Sequence, residues 1–312
     1  MHEKMAGERE KYVHCIDEDM DDLKKQLEKI IGNKHARKIL RFPGGDYWIA
    51  DILLPRIEKL CIYDRCTFVE VFGGSGFISQ NVNRNVFTNI IYNDINDKLT
   101  ALYKTIKENP EKLALILTLL PHSRSIYEIM VELLETSKEL ASLVTAVLYF
   151  YSVNTSIYGK IGKSNFGFSI KPEKNEARAF KTKVWSILKY ADAWKDITIE
   201  KLDFRKAIKI YDGPKTVFYL DPPYPDRAMD YYGYPFTVND LKELAEMLTS
   251  IQGKFLLKLD ADTYSMIEDI LSRDMYNVEF MEKMLSFNKV RDKQRKKWIL
   301  VLVSNPKKIN MD

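Results

Sequence analysis

The sequence predicts an α/β fold, a doubly wound, mostly parallel seven-stranded sheet that carries a helical insertion domain. Three observations predict it. Apolar runs rich in Val, Ile, Phe and Tyr recur along the chain, and most are near-continuous, the pattern of strands covered on both faces. Helical stretches separate several of them, as right-handed crossovers between parallel strands require. One long region, 110–194, breaks the alternation and shows helical periodicity without a buried strand.

Residues 1–37 mix charges with Leu23, Leu27, Ile30 and Ile31 at helical spacing and predict an amphipathic helical extension. The spacing leaves open whether this helix packs on the body of the protein or on a second subunit, so a homodimer stays open too. The sheet domain is expected over 38–109 and 195–312. Its strands are read at TFVEVF (67–72), NIIYND (89–94), ITIEKLDF (197–204), TVFYLD (216–221), KFLLKLD (254–260), NVEFMEKML (277–285) and WILVLVSN (298–305). The last two are joined by a basic segment without a helix, which predicts an antiparallel hairpin at one edge. The insertion, 110–194, ends in a Gly-, Asn- and Ser-rich stretch, NTSIYGKIGKSNFGFSIKP, read as a loop or hairpin rich in lysine and aromatics.

Composition removes several classes of function. The 312 residues are 46% hydrophobic and 29% charged, ordinary for a globular protein, and no apolar run reaches membrane-spanning length. The charged N-terminus lacks the apolar stretch of a secretory signal, so a cytoplasmic location is expected, with no membrane partner. Cys15, Cys61 and Cys66 do not make a disulfide framework in a chain of this size, and Cys61 and Cys66 are read as reduced cysteines near a core rather than a zinc site. The histidines (His2, His14, His35, His122) sit beside no nucleophile signal. Metal hydrolysis and acyl transfer are not expected, and no metal site is assigned. The net charge of +4 says little about a nucleic-acid partner, but KVRDKQRKKW sets Lys289, Arg291, Lys293, Arg295, Lys296 and Lys297 against a single acid, Asp292.

Four motifs carry chemistry. VEVFGGSGFIS places glycines directly after a strand, where backbone can approach a ligand at the carboxyl edge of the sheet. The next strand ends at Asp94, well placed to accept from ribose hydroxyls or, alternatively, to cap the following helix. Together they indicate a nucleoside-containing cofactor. In KLDF, Asp203 could accept from an adenine amino group under Phe204, or cap a helix. FYLDPPY then ends a strand with an acceptor-only carboxylate, two prolines that fix φ and leave rigid carbonyls, and an aromatic face. Fixed acceptors beside an aromatic platform suit a planar group bearing an NH2, that is, a nucleobase.

These residues resemble the S-adenosylmethionine-dependent amino-methyltransferases of DNA, most closely the Dam-like N6-adenine group. Phe72, Gly74 and Gly76 match its F-x-G-x-G motif, Asp94 its second-strand acid, Asp203 and Phe204 its D-F, and Asp221, Pro222, Pro223 and Tyr224 its catalytic tetrapeptide. The likeness runs from about Arg41 to Asn305 and implies a Rossmann-like methyltransferase fold with S-adenosyl-L-methionine as cofactor. Arg41, Phe42, Gly45, Phe72, Gly74, Gly76, Asp94, Asp203 and Phe204 are the implied cofactor contacts. Double-stranded DNA is the implied partner, with a cognate restriction endonuclease open. Two departures stand out: the family opens with Lys-aromatic-x-Gly-Gly-Lys, whereas this chain reads Arg41-Phe42-Pro43-Gly44-Gly45-Asp46, and Val71 replaces a frequent proline.

The resemblance implies that Asp221 and the Pro222 carbonyl accept the two N6 hydrogens of a flipped adenine while Tyr224 stacks on it. Tyr158, Lys160, Lys163 and Phe166 are expected to read base edges, and Arg291, Arg295, Lys296 and Lys297 to meet phosphates. The stretch PDRAMDYYGYPFT after the tetrapeptide is read as an aromatic lid. Cytosine N4, RNA or a protein amide remain alternative acceptors, and a catalytically silent DNA-binding protein is the alternative of another class.

Overall fold

The computed structural model describes residues 39–42, 45–137, 140–225, 234–284 and 297–306. The predicted extension 1–37, Pro43, Gly44, part of the predicted lid (226–233) and the basic segment up to Lys296, with Arg291 and Arg295, lie outside the described residues. The chain divides into two compact units, Met1–Phe42 with Ala101–Lys195, and Pro43–Thr100 with Asp196–Asp312, each taken here over its described residues.

The second unit is built on a seven-stranded sheet of mixed direction. Its strands are β1 (Cys66–Glu70), β2 (Phe87–Asn93), β3 (Ile197–Glu200), β4 (Thr216–Leu220), β5 (Lys254–Asp260), β6 (Tyr276–Met284) and β7 (Lys297–Pro306). The order is β3-β2-β1-β4-β5-β7-β6. Neighbours from β3 through β5 run parallel, whereas β7 pairs antiparallel with both β5 and β6. The sequence places a strand within each of the seven, and the edge hairpin is present. The reversal between β1 and β4 puts a switch point at the carboxyl ends of these two strands, where doubly wound sheets leave a crevice.

Each face of the sheet has a separate role. On one face Val69, Phe218, Leu220, Leu257, Leu259, Val301 and Val303 pack with Leu241, Leu244 and Ala245 of the helix Val238–Ser250 in one apolar core. That helix starts on a reciprocal capping box between Thr237 and Asp240. Side chains alternate along a strand, so Glu70, Tyr219, Asp221 and Lys258 share the opposite face. The helix Ala50–Leu60 and the short turn Asp46–Trp48 pack on this side.

Two readings need correction. Cys61 and Cys66 are joined by a disulfide, with Cα atoms 5.9 Å apart. The helix ending at Leu60 and the strand starting at Cys66 bring the two residues together across a short turn, a local pairing that is neither a metal site nor a long-range framework. The predicted strand 197–204 also stops at Glu200, so Asp203 and Phe204 lie beyond it, at the start of the helix Phe204–Tyr211.

The first unit is helical, with Pro110–Leu119, Arg124–Thr136, Ser142–Thr155, Glu176–Trp185 and Ile187–Trp194. The helix Ser142–Thr155 is apolar around most of its circumference and is buried continuously from Ala146 to Thr155, as such a helix must be. Tyr103 stacks on Trp194 at 4.0 Å, and Phe180 meets Tyr151 edge-on. No helix among the described residues is long and apolar enough to cross a membrane.

Candidate active site

The glycine turn follows β1. Gly74 and Gly76 take φ of 48° and 63°, the left-handed region where a Cβ is strained, and Gly76 directly precedes the helix Phe77–Asn81. Gly73 is required for a different reason: a Cβ there would lie 2.2 Å from the Tyr92 ring. The turn is tied to the tip of β2 by hydrogen bonds. Gly74 N–H donates to Asp94 Oδ2 at 2.7 Å, Tyr92 Oη donates to the Gly74 carbonyl at 2.9 Å, and Gly73 N–H donates to the Asn93 carbonyl at 2.8 Å.

Asp94 therefore organises the loop as well as facing its mouth. Its second oxygen accepts from Asn96 N–H at 2.8 Å. These bonds use two of roughly four acceptor directions of a carboxylate and leave others for a ligand. Burial pushes its pKa up to about 6, against the lowering effect of the Asn96 and Gly74 N–H groups. Asn93, fully buried, clasps three strand ends: its amide donates to the Val71 and Leu202 carbonyls and accepts from Leu202 N–H.

Asp203 caps the helix Phe204–Tyr211, accepting from Arg205 N–H at 2.9 Å, and pairs with the Arg205 guanidinium at 3.1 Å. Phe204 packs against Phe72 and Phe236 at centroid distances of 5.7 and 5.9 Å, a three-ring cluster beside the turn. Phe236 and Tyr234 belong to the stretch read as a lid. Both are anchored, Phe236 in that cluster and Tyr234 through a 2.9 Å hydrogen bond to Asp97.

Asp221 directly follows β4, with Pro222 buried and Tyr224 half-buried behind it. Parallel pairing of Leu220 with Leu257 brings the next residues of the two strands side by side, and Lys258 Nζ lies 2.5 Å from Asp221 Oδ2. The same ammonium is bonded to the Asp46 carboxylate, whose other oxygen accepts from the buried Tyr219 Oη at 2.6 Å. Lys258 is 2% exposed, and Asp46 is 6% exposed, so this is a buried ion triad rather than a surface pair. Glu70, also buried, stands nearby and accepts from both Ser79 N–H and Ser79 Oγ–H.

The electrostatics follow from crowding three acids around one base. Burial raises Asp221 to about 7; the Asp46 charge adds to this, and Lys258 opposes it. Glu70 is pushed up to about 8 by burial, with Asp46 and Asp221 adding and the Ser79 hydrogen bonds opposing. Burial alone would discharge Lys258, but the Asp221 and Asp46 carboxylates outweigh it and hold the ammonium protonated. The cluster thus holds one cation, while burial favours the protonated carboxyl at both Glu70 and Asp221 and Lys258 opposes this at Asp221.

Of the predicted residues, the described fold brings Asp221 to Tyr224, the glycine turn, Phe72, Asp94, Asp203 and Phe204 to one end of the sheet. Gly45 caps the Asp46–Trp48 turn in the same unit. Arg41 and Phe42 fall in the helical unit, where Arg41 is committed to Glu176 and to the Ser156 carbonyl. Tyr158 is 74% exposed with φ of 54°, a conformation unusual for a tyrosine, and Lys160 and Lys163 are exposed nearby, Lys163 facing Glu132 at 3.4 Å. Phe166 is buried against His122 and Tyr127 and anchors this loop. Lys297 begins β7.

Lys258, Glu70, Tyr219 and Asn93 escaped the sequence reading. The signal was present: a lysine in KFLLKLD and a glutamate in TFVEVF interrupt strands that otherwise read as buried on both faces.

A sheet of this order with a ligand turn at its switch point defines an enzyme of Rossmann-like methyltransferase fold. The comparison with known families is more particular. Residues 42–300 match the D12 class N6 adenine-specific DNA methyltransferases, and the chain belongs to that family. It is a DNA adenine-N6 methyltransferase, and family membership implies S-adenosylmethionine as methyl donor and DNA as substrate. It is also similar to the Type II methyltransferase M1.LlaDCHI of Lactococcus lactis subsp. cremoris, 25% identical over 268 residues that cover 81% of this chain and 91% of the relative.

Proposed function

We propose that the chain methylates N6 of adenine within a specific duplex sequence, by flipping the base out of the helix and transferring the methyl group directly, in line. The observation that carries this reading is the position of Asp221-Pro222-Pro223-Tyr224 at the switch point, beside the glycine turn, with the Asp221 carboxylate fixed by Lys258.

The residues present fit the cofactor. The left-handed Gly74 and Gly76 keep the turn free of side chains, and Asp94 retains acceptor capacity at its mouth. Phe72, Phe204 and Asp203 are the proposed contacts of the adenine end, the last in addition to its capping role, and Gly45 contributes backbone from the opening motif. S-adenosylmethionine, when bound, supplies a methyl carbon on a sulfonium, whose C–S bonding pair leaves with the sulfur.

The remaining steps are the chain's own. The adenine N6 lone pair is delocalised into the ring and is a poor nucleophile. Asp221 accepts one N6 hydrogen and the Pro222 carbonyl the other, which favours a pyramidal nitrogen with its lone pair free to attack. As the N–C bond forms, nitrogen becomes positive, and a preorganised carboxylate stabilises that charge by ~3 kcal/mol or more. The surplus proton leaves N6 after transfer, not before: it passes to the Asp221 carboxylate that already accepts that hydrogen, and from there to solvent. Pro222 and Pro223 keep the carbonyls aimed, and Tyr224 stacks on the flipped base.

Residues 110–194 are proposed as the target-recognition insertion, with 38–109 and 195–312 as the catalytic domain. Tyr158, Lys160 and Lys163 would contact bases, and Arg291, Arg295, Lys296 and Lys297 phosphates. The type II name of the relative supports pairing with a cognate restriction endonuclease. The test is expression in a host lacking adenine methylation, followed by sequencing that detects modified bases. N6-methyladenine at one recurring sequence is expected. Methyl groups on cytosine, or none in DNA, would overturn the reading.

A further inference from the structure

The family's opening motif ends in lysine where this chain has Asp46, yet the site is not left without a cation. Lys258 reaches the same place from β5. Its Nζ contacts Asp221 Oδ2 at 2.5 Å and the Asp46 carboxylate, and position 46 is where a lysine from the opening motif would enter the cluster. A lysine in the middle of a buried strand is costly to keep unless both its neighbours need it. Asp46 is itself fixed by Tyr219 Oη at 2.6 Å, so the cation is braced from behind while it reaches Asp221 in front.

We propose that Lys258 is a positioning residue for methyl transfer: braced by Asp46, its ammonium aims the Asp221 carboxylate at the target amine and replaces, from another strand, the lysine that the opening motif lacks. This rests on the role given to Asp221 above. One carboxylate oxygen is occupied by the ammonium, which leaves the other to accept from N6. Asp46 is then the counterion of Lys258.

The groups facing Asp221 are Lys258 from β5, Asp46 from the preceding turn, Tyr219 from its own strand and Glu70 from β1, with Tyr224 facing Lys258. Removing the cation and removing its counterion must therefore shift the titration of Asp221 in opposite directions. Loss of Lys258 moves it up; loss of the Asp46 charge moves it down. A merely structural role for either residue predicts no such opposition.

The experiment measures single-turnover transfer of labelled methyl from S-adenosylmethionine to genomic DNA that lacks adenine methylation, across pH, for the full chain and its variants. Cofactor affinity is measured separately by calorimetry. For Lys258→Met the expected result is a rate lower by roughly tenfold to a hundredfold, the weight of one charge-assisted hydrogen bond. Its acid limb should move to higher pH while cofactor affinity is kept. Asp46→Asn, which retains a partner for Tyr219, should move the limb to lower pH. The double variant Asp46→Lys with Lys258→Met, which returns the cation from the other side, should recover much of the lost rate. A Lys258→Met protein with the parent's rate and acid limb would overturn the proposal. If that variant does not fold, Asp46→Asn decides: a downward shift supports the proposal and an unmoved limb overturns it. If the parent chain itself methylates no adenine in DNA, it is the functional reading that fails.

Discussion

Asp221 and Lys258 stand one residue beyond Leu220 and Leu257, a register pair of adjacent parallel strands, and their side chains meet at 2.5 Å. The relationship is set by backbone register, so the carboxylate that the tetrapeptide supplies is aimed by a residue far away in sequence. The opposite faces of the same strands, Leu220 and Leu257, lie in the apolar core and fix that register. Packing on one face of the sheet thereby positions chemistry on the other.

The rate of methyl transfer should rise with pH through about 7 and level off above it. Burial, reinforced by Asp46 and opposed by Lys258, raises Asp221 to about 7, and the protonated carboxyl loses its acceptor-only character. Single-turnover rates over a pH series test this. A rate flat from mildly acid to alkaline pH would contradict it.

Glu70→Gln should stabilise the fold under alkaline conditions. Glu70 is raised from 4.5 to about 8, chiefly by burial, so over that window the folded state binds more proton than the unfolded chain. Stability from this group is then full below about 4.5 and is lost as pH rises through about 8. Melting temperatures of the two proteins should converge below about 4.5, separate between about 4.5 and about 8, and stay apart above that, with the glutamine variant higher.

Gly73→Ala should cost about 1–3 kcal/mol and weaken cofactor binding, because the added methyl overlaps a buried ring whose hydroxyl holds the next residue of the turn. Thermal denaturation and calorimetric titration with S-adenosylmethionine would show both losses. An unchanged affinity would remove the turn from the cofactor site.

The fold was legible because each strand is an apolar run bounded by turns, and the candidate site because glycine turns and D-P-P-Y tetrapeptides are local words. What the sequence hid was non-local. The Lys258 partners depend on pairing between β4 and β5, and Asp46 reaches them from a turn some two hundred residues away in sequence. The Cys61–Cys66 disulfide depends on how a helix end meets a strand start, which spacing alone does not specify. Phe166 is expected from sequence among the base-edge readers of a loop rich in lysine and aromatics, and a bridge to Ser156 folds it inward onto Tyr127.

Tyr158→Ala should weaken DNA binding by about 1–3 kcal/mol, the range for a base–aromatic stack, without lowering the melting temperature. The side chain is 74% exposed and its left-handed backbone carries strain, so its removal takes nothing from the core. Fluorescence anisotropy with the methylated target sequence, beside a melting curve, separates the two quantities.

The central claim is that Asp221 acts on the amino group of adenine. Its most direct test compares the parent chain with Asp221→Ala for transfer of labelled methyl to N6 of adenine in duplex DNA, with calorimetric binding of S-adenosylmethionine as the control. The account predicts that the variant binds the cofactor and loses at least about a hundredfold in transfer rate, the weight of one preorganised electrostatic contact. Transfer at the parent rate by a folded, cofactor-binding Asp221→Ala protein would contradict it.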